Sequence, residues 1–260
     1  LNLLTDNPLK PIPTHLAEDD HWWFSSRTRA LNTVMNPILS GHPDLKLLDV
    51  GCGAGNMIHH LSRYGQVKGL EIDERPVKKA RERGYDVQQF DATRPMPFVD
   101  NTFDVVTTLD VIEHNQDDVS ILADSFRILK PGGYMIITVP AYMWLWTYND
   151  DLNAHVRRYT AGELRQKLGD TGFNIVRVTY NNFFLFPLAA TLLLLRQATD
   201  RKKELASHHV SQEEYQVELE PASPLVNSVL TTVGKVEAGL MRRLDLPFGT
   251  SLIAVGQKPE

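Results

Sequence analysis

The sequence predicts an α/β protein: a doubly wound, mostly parallel seven-stranded sheet with an N-terminal cap helix and a helical insertion before the last strand. Three observations predict it. Short apolar, β-branched segments alternate with amphipathic ones, as βαβ units require. The apolar run Leu47-Leu48-Asp49-Val50 ends in Gly51-Cys52-Gly53-Ala54-Gly55, a strand feeding a tight loop in which glycine permits positive φ and close backbone approach to a ligand. Between Tyr180 and Leu246 the alternation gives way to a hydrophobic helix, a polar stretch and an amphipathic segment, which marks an insertion.

Taken in order, residues 46–50, 67–72, 87–90, 103–108 and 134–139 read as strands, with helical patterns at 56–64, 75–83 and 119–129 between them. Right-handed crossovers fix the hand of such a sheet and place ligands beyond the strand C-termini. Lys130-Pro131-Gly132-Gly133 is expected to stop a helix and turn the chain into the next strand. A helix follows at 161–170, with Thr160 as N-cap and Glu163 as its capping-box partner, then a strand at 174–179. The last strand is read at 251–255. Ahead of the sheet, Asp19-Asp20-His21-Trp22-Trp23-Phe24 leads into a helix near 27–39; three consecutive aromatics cannot all face one core, so some cover a ligand or a second element. The resulting division is a helical cap at 1–40, a core at 41–180, an insertion or lid at 181–246 and the core's last strand at 247–260. The charged middle of the polar stretch 199–220, with Arg201-Lys202-Lys203-Glu204 and Glu213-Glu214, reads as a solvated or mobile loop.

The apolar run 183–195 is interrupted by Pro187 and falls short of the ~20 residues that cross a bilayer. It reads as a core or lid helix, with an interfacial, lipid-facing helix as the alternative. No transmembrane segment or signal peptide is expected. At 260 residues, 42% hydrophobic and 23% charged, the chain can bury a substantial core. Its net charge of -5 disfavours nucleic acid and other polyanions as partners. The single cysteine, Cys52, excludes an internal disulfide framework and a Cys-rich zinc site, and fits a reducing compartment, with the cytoplasm as default. Oligomeric state is not legible.

The loop spacing Gly-x-Gly-x-Gly differs from the Gly-x-Gly-x-x-Gly of dinucleotide folds, where a helix N-terminus meets a pyrophosphate. Asp49, just before the first glycine, would repel a phosphate and suits a cationic ligand. S-adenosylmethionine, with its sulfonium and ammonium, is such a ligand.

With four motifs in order, the chain resembles the class I S-adenosylmethionine-dependent methyltransferases, over roughly 45–140 and weakly again at 246–258. The motifs are Asp49 to Gly55, Gly69-Leu70-Glu71-Ile72-Asp73, Phe90-Asp91-Ala92 ahead of Met96-Pro97-Phe98, and Phe103-Asp104-Val105-Val106 before Asp110-Val111-Ile112-Glu113-His114. The resemblance implies a Rossmann-like core and S-adenosyl-L-methionine as cofactor. By position, Glu71 accepts hydrogen bonds from the ribose hydroxyls, Asp91 reads the adenine amino group and the Ala92 amide a ring nitrogen. Asp49, the loop at Gly51, Gly53 and Gly55, and the Leu109 backbone hold the methionine end. Asp73 reads as a surface or helix-cap residue.

Acceptor activation is then the open chemistry. Asp110, Glu113 and His114 stand at i, i+3 and i+4 and share a face if helical. His155 follows the fifth strand on the same sheet edge. This set resembles that of the metal-dependent small-RNA 2′-hydroxyl methyltransferases and the ubiquinone-pathway O-methyltransferases, which implies Asp110, Glu113, His114 and His155 as ligands of a divalent metal. Asp110 departs from those families' Glu. The preferred reading is metal-free, with His155 or His114 as general base or hydrogen-bond partner of the acceptor. Trp22, Trp23, Arg157 and Tyr159 are the expected acceptor contacts, Arg157 and Arg158 alternatively pairing with Asp150 and Asp151. His59-His60 and His208-His209 read as solvated. The expected reaction is methyl transfer to a small or amphiphilic molecule, at oxygen; the alternatives are an RNA 2′-hydroxyl methyltransferase and a non-catalytic cofactor-binding partner subunit.

Overall fold

A computed structural model describes residues 13–42, 44–198 and 222–260. The polar stretch at 199–220, with His208-His209, lies wholly outside the described residues. Seven strands, β1 (Leu45–Val50), β2 (Gly65–Glu71), β3 (Asp86–Gln89), β4 (Phe103–Leu109), β5 (Leu129–Pro140), β6 (Asn174–Asn181) and β7 (Ser251–Gln257), form one sheet in the order β3-β2-β1-β4-β5-β7-β6. β3 through β5 run parallel, whereas β7 pairs antiparallel with both β5 and β6. The sheet is therefore mixed.

Its central strands are apolar on both faces because helices cover both. Leu47, Leu48, Val50, Val105, Val106, Ile136 and Ile137 are all fully buried. Before the first strand lies α1 (Trp22–Leu39), and between the strands lie α2 (Asn56–Leu61), α3 (Glu74–Glu82), α4 (Asp118–Ile128), α5 (Tyr148–Leu152), α6 (Ala161–Thr171), α7 (Phe186–Ala198) and α8 (Pro224–Met241). Asp73 is the N-cap of α3, accepting from the Arg75 amide, and Thr160 with Glu163 closes a capping box at α6.

α1 and α8 pack closely, with Gly234 of α8 against Ser26 of α1. The Asn227 side chain accepts from the Trp22 amide at 2.8 Å and donates to the Asp20 carbonyl at 2.9 Å. Buried Glu237 accepts from the Asn182 and Phe184 amides, fixing α8 to the turn that leaves β6. Among the described residues no helix is long and apolar enough to cross a membrane.

One turn differs from expectation. α4 does stop at Ile128, but Lys130 to Gly133 belong to β5, not to a free turn. Gly132 (φ 76°) donates to the Lys258 carbonyl at 2.9 Å, and Lys258 donates back to Gly133 at 2.9 Å. The glycines bulge the strand, and its register against β4 shifts between Phe103 and Val105.

Candidate active site

The sheet order reverses beside β1, between β2 and β4, and there the C-terminal ends of three strands open a crevice. Gly51, Gly53 and Gly55 have φ of 70°, 53° and 82°, a region that side-chain-bearing residues rarely adopt. A Cβ at Gly51 would stand 2.4 Å from Val111 Cγ2, and one at Gly55 2.3 Å from the Tyr85 ring. The loop is closed around space that only glycine leaves open.

Three cavities adjoin it. The first, about 140 Å³, is lined by Asp49, Gly51, Gly53, Asn56 and Leu109, with Arg27 over it. The second, about 410 Å³, is lined by Glu71, Asp91, Ala92, Val111 and Gly51. The third, also about 410 Å³, is lined by Trp23, Asp110, Glu113, His114, His155 and Arg158. Gly51 borders the first and second, Asp110 and His114 the second and third, and Arg27 the first and third. The result is one trench.

Within it, Asp49 is buried and accepts from Thr107 Oγ1 at 2.5 Å. Burial pushes its carboxyl up to about 6, despite the hydrogen bond from Thr107 and the charge of Arg27, which pull it down; Glu71 adds to the rise. Both polar atoms of the Asn56 amide are buried without a hydrogen-bond partner. Glu71 Oε2 accepts from the Gly53 amide at 2.9 Å and Oε1 from the Asp73 amide at 3.0 Å, so its carboxylate is aimed before any ligand arrives. Asp91 is held by Thr93, whose hydroxyl and amide hydrogen bonds lower its pKa.

The third cavity is built differently. Asp110 adopts φ 61°, and only Ile112–His114 form a short 3-10 turn, so the expected shared helical face does not exist. Asp110 instead accepts from Arg27 Nη2 at 2.6 Å and from Thr138 Oγ1 at 2.9 Å, which commits both its oxygens. It is not one of the group formed by Glu113, His114 and His155, whose ligand atoms all lie within 4.8 Å of one another.

Glu113 is fully buried and neither carboxyl oxygen has a hydrogen-bond partner. Burial, then the charge of Asp110, raises its pKa well above the usual range and favours the protonated acid. His114 and His155 meet edge to face at 4.7 Å, and burial followed by the neighbouring His155 lowers the His114 pKa.

His155 Nδ1 lies 2.9 Å from Asp150 Oδ1, and Arg158 grips both Asp150 oxygens at 2.8 Å. Burial alone would raise the Asp150 pKa, but hydrogen bonds from Arg158, the Thr147 amide and His155 outweigh it and the net shift is downward. Opposite an ionised Asp150, Nδ1 carries the proton of this contact, and in the neutral imidazole Nε2 is then the acceptor.

Three expected acceptor contacts are elsewhere. Arg157 donates to Asp118 and to the Gln116 carbonyl, and Tyr159 is a buried core residue whose hydroxyl donates to Asp118 at 2.7 Å. Asp118, itself buried, also takes Lys167, so these side chains satisfy a buried carboxylate and do not reach the cavity. Trp22 is half-buried against the Asn227 side, and only Trp23 of the pair lines the third cavity. The sequence reading also missed the roles of Asn56, of Arg27 as the bridge from α1 to Asp110, and of Asp150 as the partner of His155. The near-adjacent Asp150 and His155 were the available signal for the last.

Residues 48–137 match the model of the methyltransferase domain family. That stretch carries a methyltransferase domain, and the core is similar to the class I S-adenosylmethionine-dependent methyltransferases. Over 167 residues the chain is 30% identical to a protein of Mycolicibacterium smegmatis named a probable S-adenosylmethionine-dependent methyltransferase, covering 62% of each. It is 36% identical over 126 residues to a ubiquinone biosynthesis O-methyltransferase of Nitrosococcus oceani, covering 43% of this chain and 53% of that one. The chain thus spans about half to three fifths of these relatives' length. A crystal structure of an S-adenosylmethionine-dependent methyltransferase from Archaeoglobus fulgidus superposes with a TM-score of 0.56, covering 93% of this chain and 97% of that one at 17% identity, a likeness of fold.

The cofactor of this family is S-adenosylmethionine, and the methyltransferase core fits it. The orphaned Asn56 amide offers a donor and an acceptor beside Asp49, as an amino-acid end with both charges needs. The glycine cradle admits close approach.

Proposed function

We propose that the chain transfers a methyl group from S-adenosylmethionine to a hydroxyl of a small or amphiphilic acceptor, with His155 as general base and Asp150 as its positioning partner. The observation that carries this reading is a third cavity, continuous with the cofactor trench, that ends on an imidazole already oriented by a carboxylate. Asp49, Asn56, the glycine loop and Leu109 hold the methionine end; Glu71 takes the ribose; Asp91 and Ala92 read the adenine. When bound, the cofactor supplies a methyl carbon activated by positive sulfur, displaced in line.

The chain's residues do the rest. His155 Nε2 accepts the hydroxyl proton as the acceptor oxygen attacks, and Asp150 stabilises the imidazolium that forms. His114 flanks the same oxygen, Glu113 in its protonated form can donate a hydrogen bond, and Trp23 excludes water over the acceptor. The hydroxyl acceptor draws support from the printed name of the N. oceani relative. The net charge of -5 weighs against RNA. In this reading α1, from the N-terminal cap, and α7 and α8, from the insertion, roof the core that carries β1 to β7, and the lone cysteine suits the cytoplasm.

Isotopically labelled cofactor with a panel of phenols, catechols and amines, read by mass spectrometry, tests this. Label on oxygen is expected, and His155→Gln should lower kcat by about 100-fold or more with little change in cofactor affinity. Label on nitrogen alone, or full turnover in His155→Gln, overturns the reading.

A second reading is that Glu113, His114 and His155 hold a divalent ion, favoured by their mutual proximity and by the unpartnered Glu113 oxygens. Mixed imidazole and carboxylate donors suit Mn²⁺, Fe²⁺ or Zn²⁺ better than Mg²⁺. Undiminished activity after rigorous chelation rejects it.

A further inference from the structure

A second cluster of metal-ligating side chains lies away from the acceptor cavity, behind the glycine loop. His59 and His60, read from sequence as solvated, are half-buried on α2, their rings meeting edge to face at 5.0 Å. Asp19, from the 3-10 turn Ala17–Asp20 ahead of α1, places Oδ1 3.0 Å from His60 Nε2. One ligand atom from each of the three lies within 4.8 Å of the other two. His59 Nδ1 is out of water and has no hydrogen-bond partner.

We propose that Asp19, His59 and His60 form a site for a divalent cation of the zinc class, which fastens the segment before α1 onto the helix that follows the glycine loop. Two imidazoles and one carboxylate are the donors such an ion takes, with water completing a tetrahedron. Bonds of about 2.0–2.1 Å set tetrahedral ligand atoms ~3.4 Å apart, so side-chain rotation of the order of an ångström brings this set onto an ion. His59 also carries a buried ring nitrogen, Nδ1, that its surroundings leave without a hydrogen-bond partner.

The position gives the site a consequence. Glu18, next to Asp19, pairs with Arg83, and Arg83 Nη1 donates to the Ala54 carbonyl of the glycine loop at 3.0 Å. Glu18 and Asn56 both line the cavity assigned to the methionine end. An ion between the turn and α2 therefore braces one wall of that cavity from outside.

The test compares metal-stripped unaltered protein with His59→Gln/His60→Gln and with His114→Gln/His155→Gln, each titrated with Co²⁺ by visible absorption and with Zn²⁺ by calorimetry. The expected result is one equivalent of tetrahedral Co²⁺ that survives replacement of His114 and His155, and an affinity at least 100-fold weaker when His59 and His60 are replaced. Asp19→Asn, which keeps size and a polar contact to His60, should weaken the ion about tenfold in protein whose circular dichroism is unchanged. Zn²⁺ should also tighten binding of the demethylated cofactor product several-fold, and not in the His59/His60 variant. No tetrahedral Co²⁺ in the unaltered protein, or equal affinity in that variant, overturns the site. Binding without any effect on product affinity overturns the bracing role.

Discussion

Asp49 carries two demands at once: it is sealed from water by the sheet and is asked to face a cation. Its folded pKa of about 6, against an ordinary 3.8, records that conflict, with burial the largest cause. A carboxyl raised on folding lets the native state hold more protons than the unfolded chain between those two values. The ligand-free protein therefore loses Asp49's contribution to stability as pH climbs through that window, whereas a cationic ligand prefers the ionised form. Affinity for S-adenosylmethionine should hold steady above pH 7 and fall progressively below pH 6, and Asp49→Asn should flatten that dependence; calorimetry from pH 5 to 8 reads it. Glu71 makes the complementary case. Its two backbone amides fix its direction, so Glu71→Ala should weaken cofactor binding by about 1–3 kcal/mol, measured the same way. Both acids were legible because a strand end preceding a glycine, or placed one strand later, has a defined position. Arg157 and Tyr159 were misread because sequence proximity to His155 carries no information about Asp118, which lies across the fold and claims them.

At the scale of elements, strand bounds were legible to within a residue or two except at the start of β5, which begins five residues before the expected 134; in the central strands, burial on both faces writes an apolar run. The turn after β4 was not. Spacing of i, i+3 and i+4 implies a shared face only in a regular helix, and the left-handed Asp110 followed by a single 3-10 turn breaks that geometry. The capping box at α6 was legible because its two residues act through local chain alone. Contact between α1 and α8 was not, being set by tertiary packing.

That contact supplies a paired prediction. A Cβ on Gly234 would meet Ser26 Oγ at 2.2 Å and Ser26 Cβ at 2.8 Å, while nothing lies within 4 Å of one on Gly239. Both glycines sit inside the same helix, where alanine is intrinsically favoured by roughly 0.8–1.0 kcal/mol. Gly239→Ala should therefore raise stability by about that amount. Gly234→Ala should lower it by about 1 kcal/mol or more, because separating the helices outweighs propensity. Urea denaturation of the two variants side by side checks the sign.

Over the whole molecule, the trench couples cofactor to stability. Binding to the folded state alone adds about 2.7 kcal/mol at a ligand concentration of 100 Kd, so thermal denaturation with saturating S-adenosylhomocysteine should move upward by several degrees, and NAD should leave it unmoved. The cofactor half was the legible half: its motifs are backbone requirements, and glycines and strand-end acids declare those in the sequence. The acceptor half was less so, because its cavity gathers Trp23 and Arg27 from α1, His114 from the turn after β4 and His155 from beyond β5, and only the folded chain brings them together.

The placement of β7 between β5 and β6 has a kinetic corollary. β6 has no direct ladder to β5; Ser251–Gln257 must thread between them and zip along both in the opposite sense. During synthesis, strands β1 to β5 can assemble from neighbouring segments as they emerge, but the slot beside β5 stays open until a far later stretch of chain is translated. Closing a sheet through such distant partners is slow. Co-translational folding should thus proceed in two beats, a cofactor-binding half that is ready early and an acceptor half that locks only when its wedge arrives.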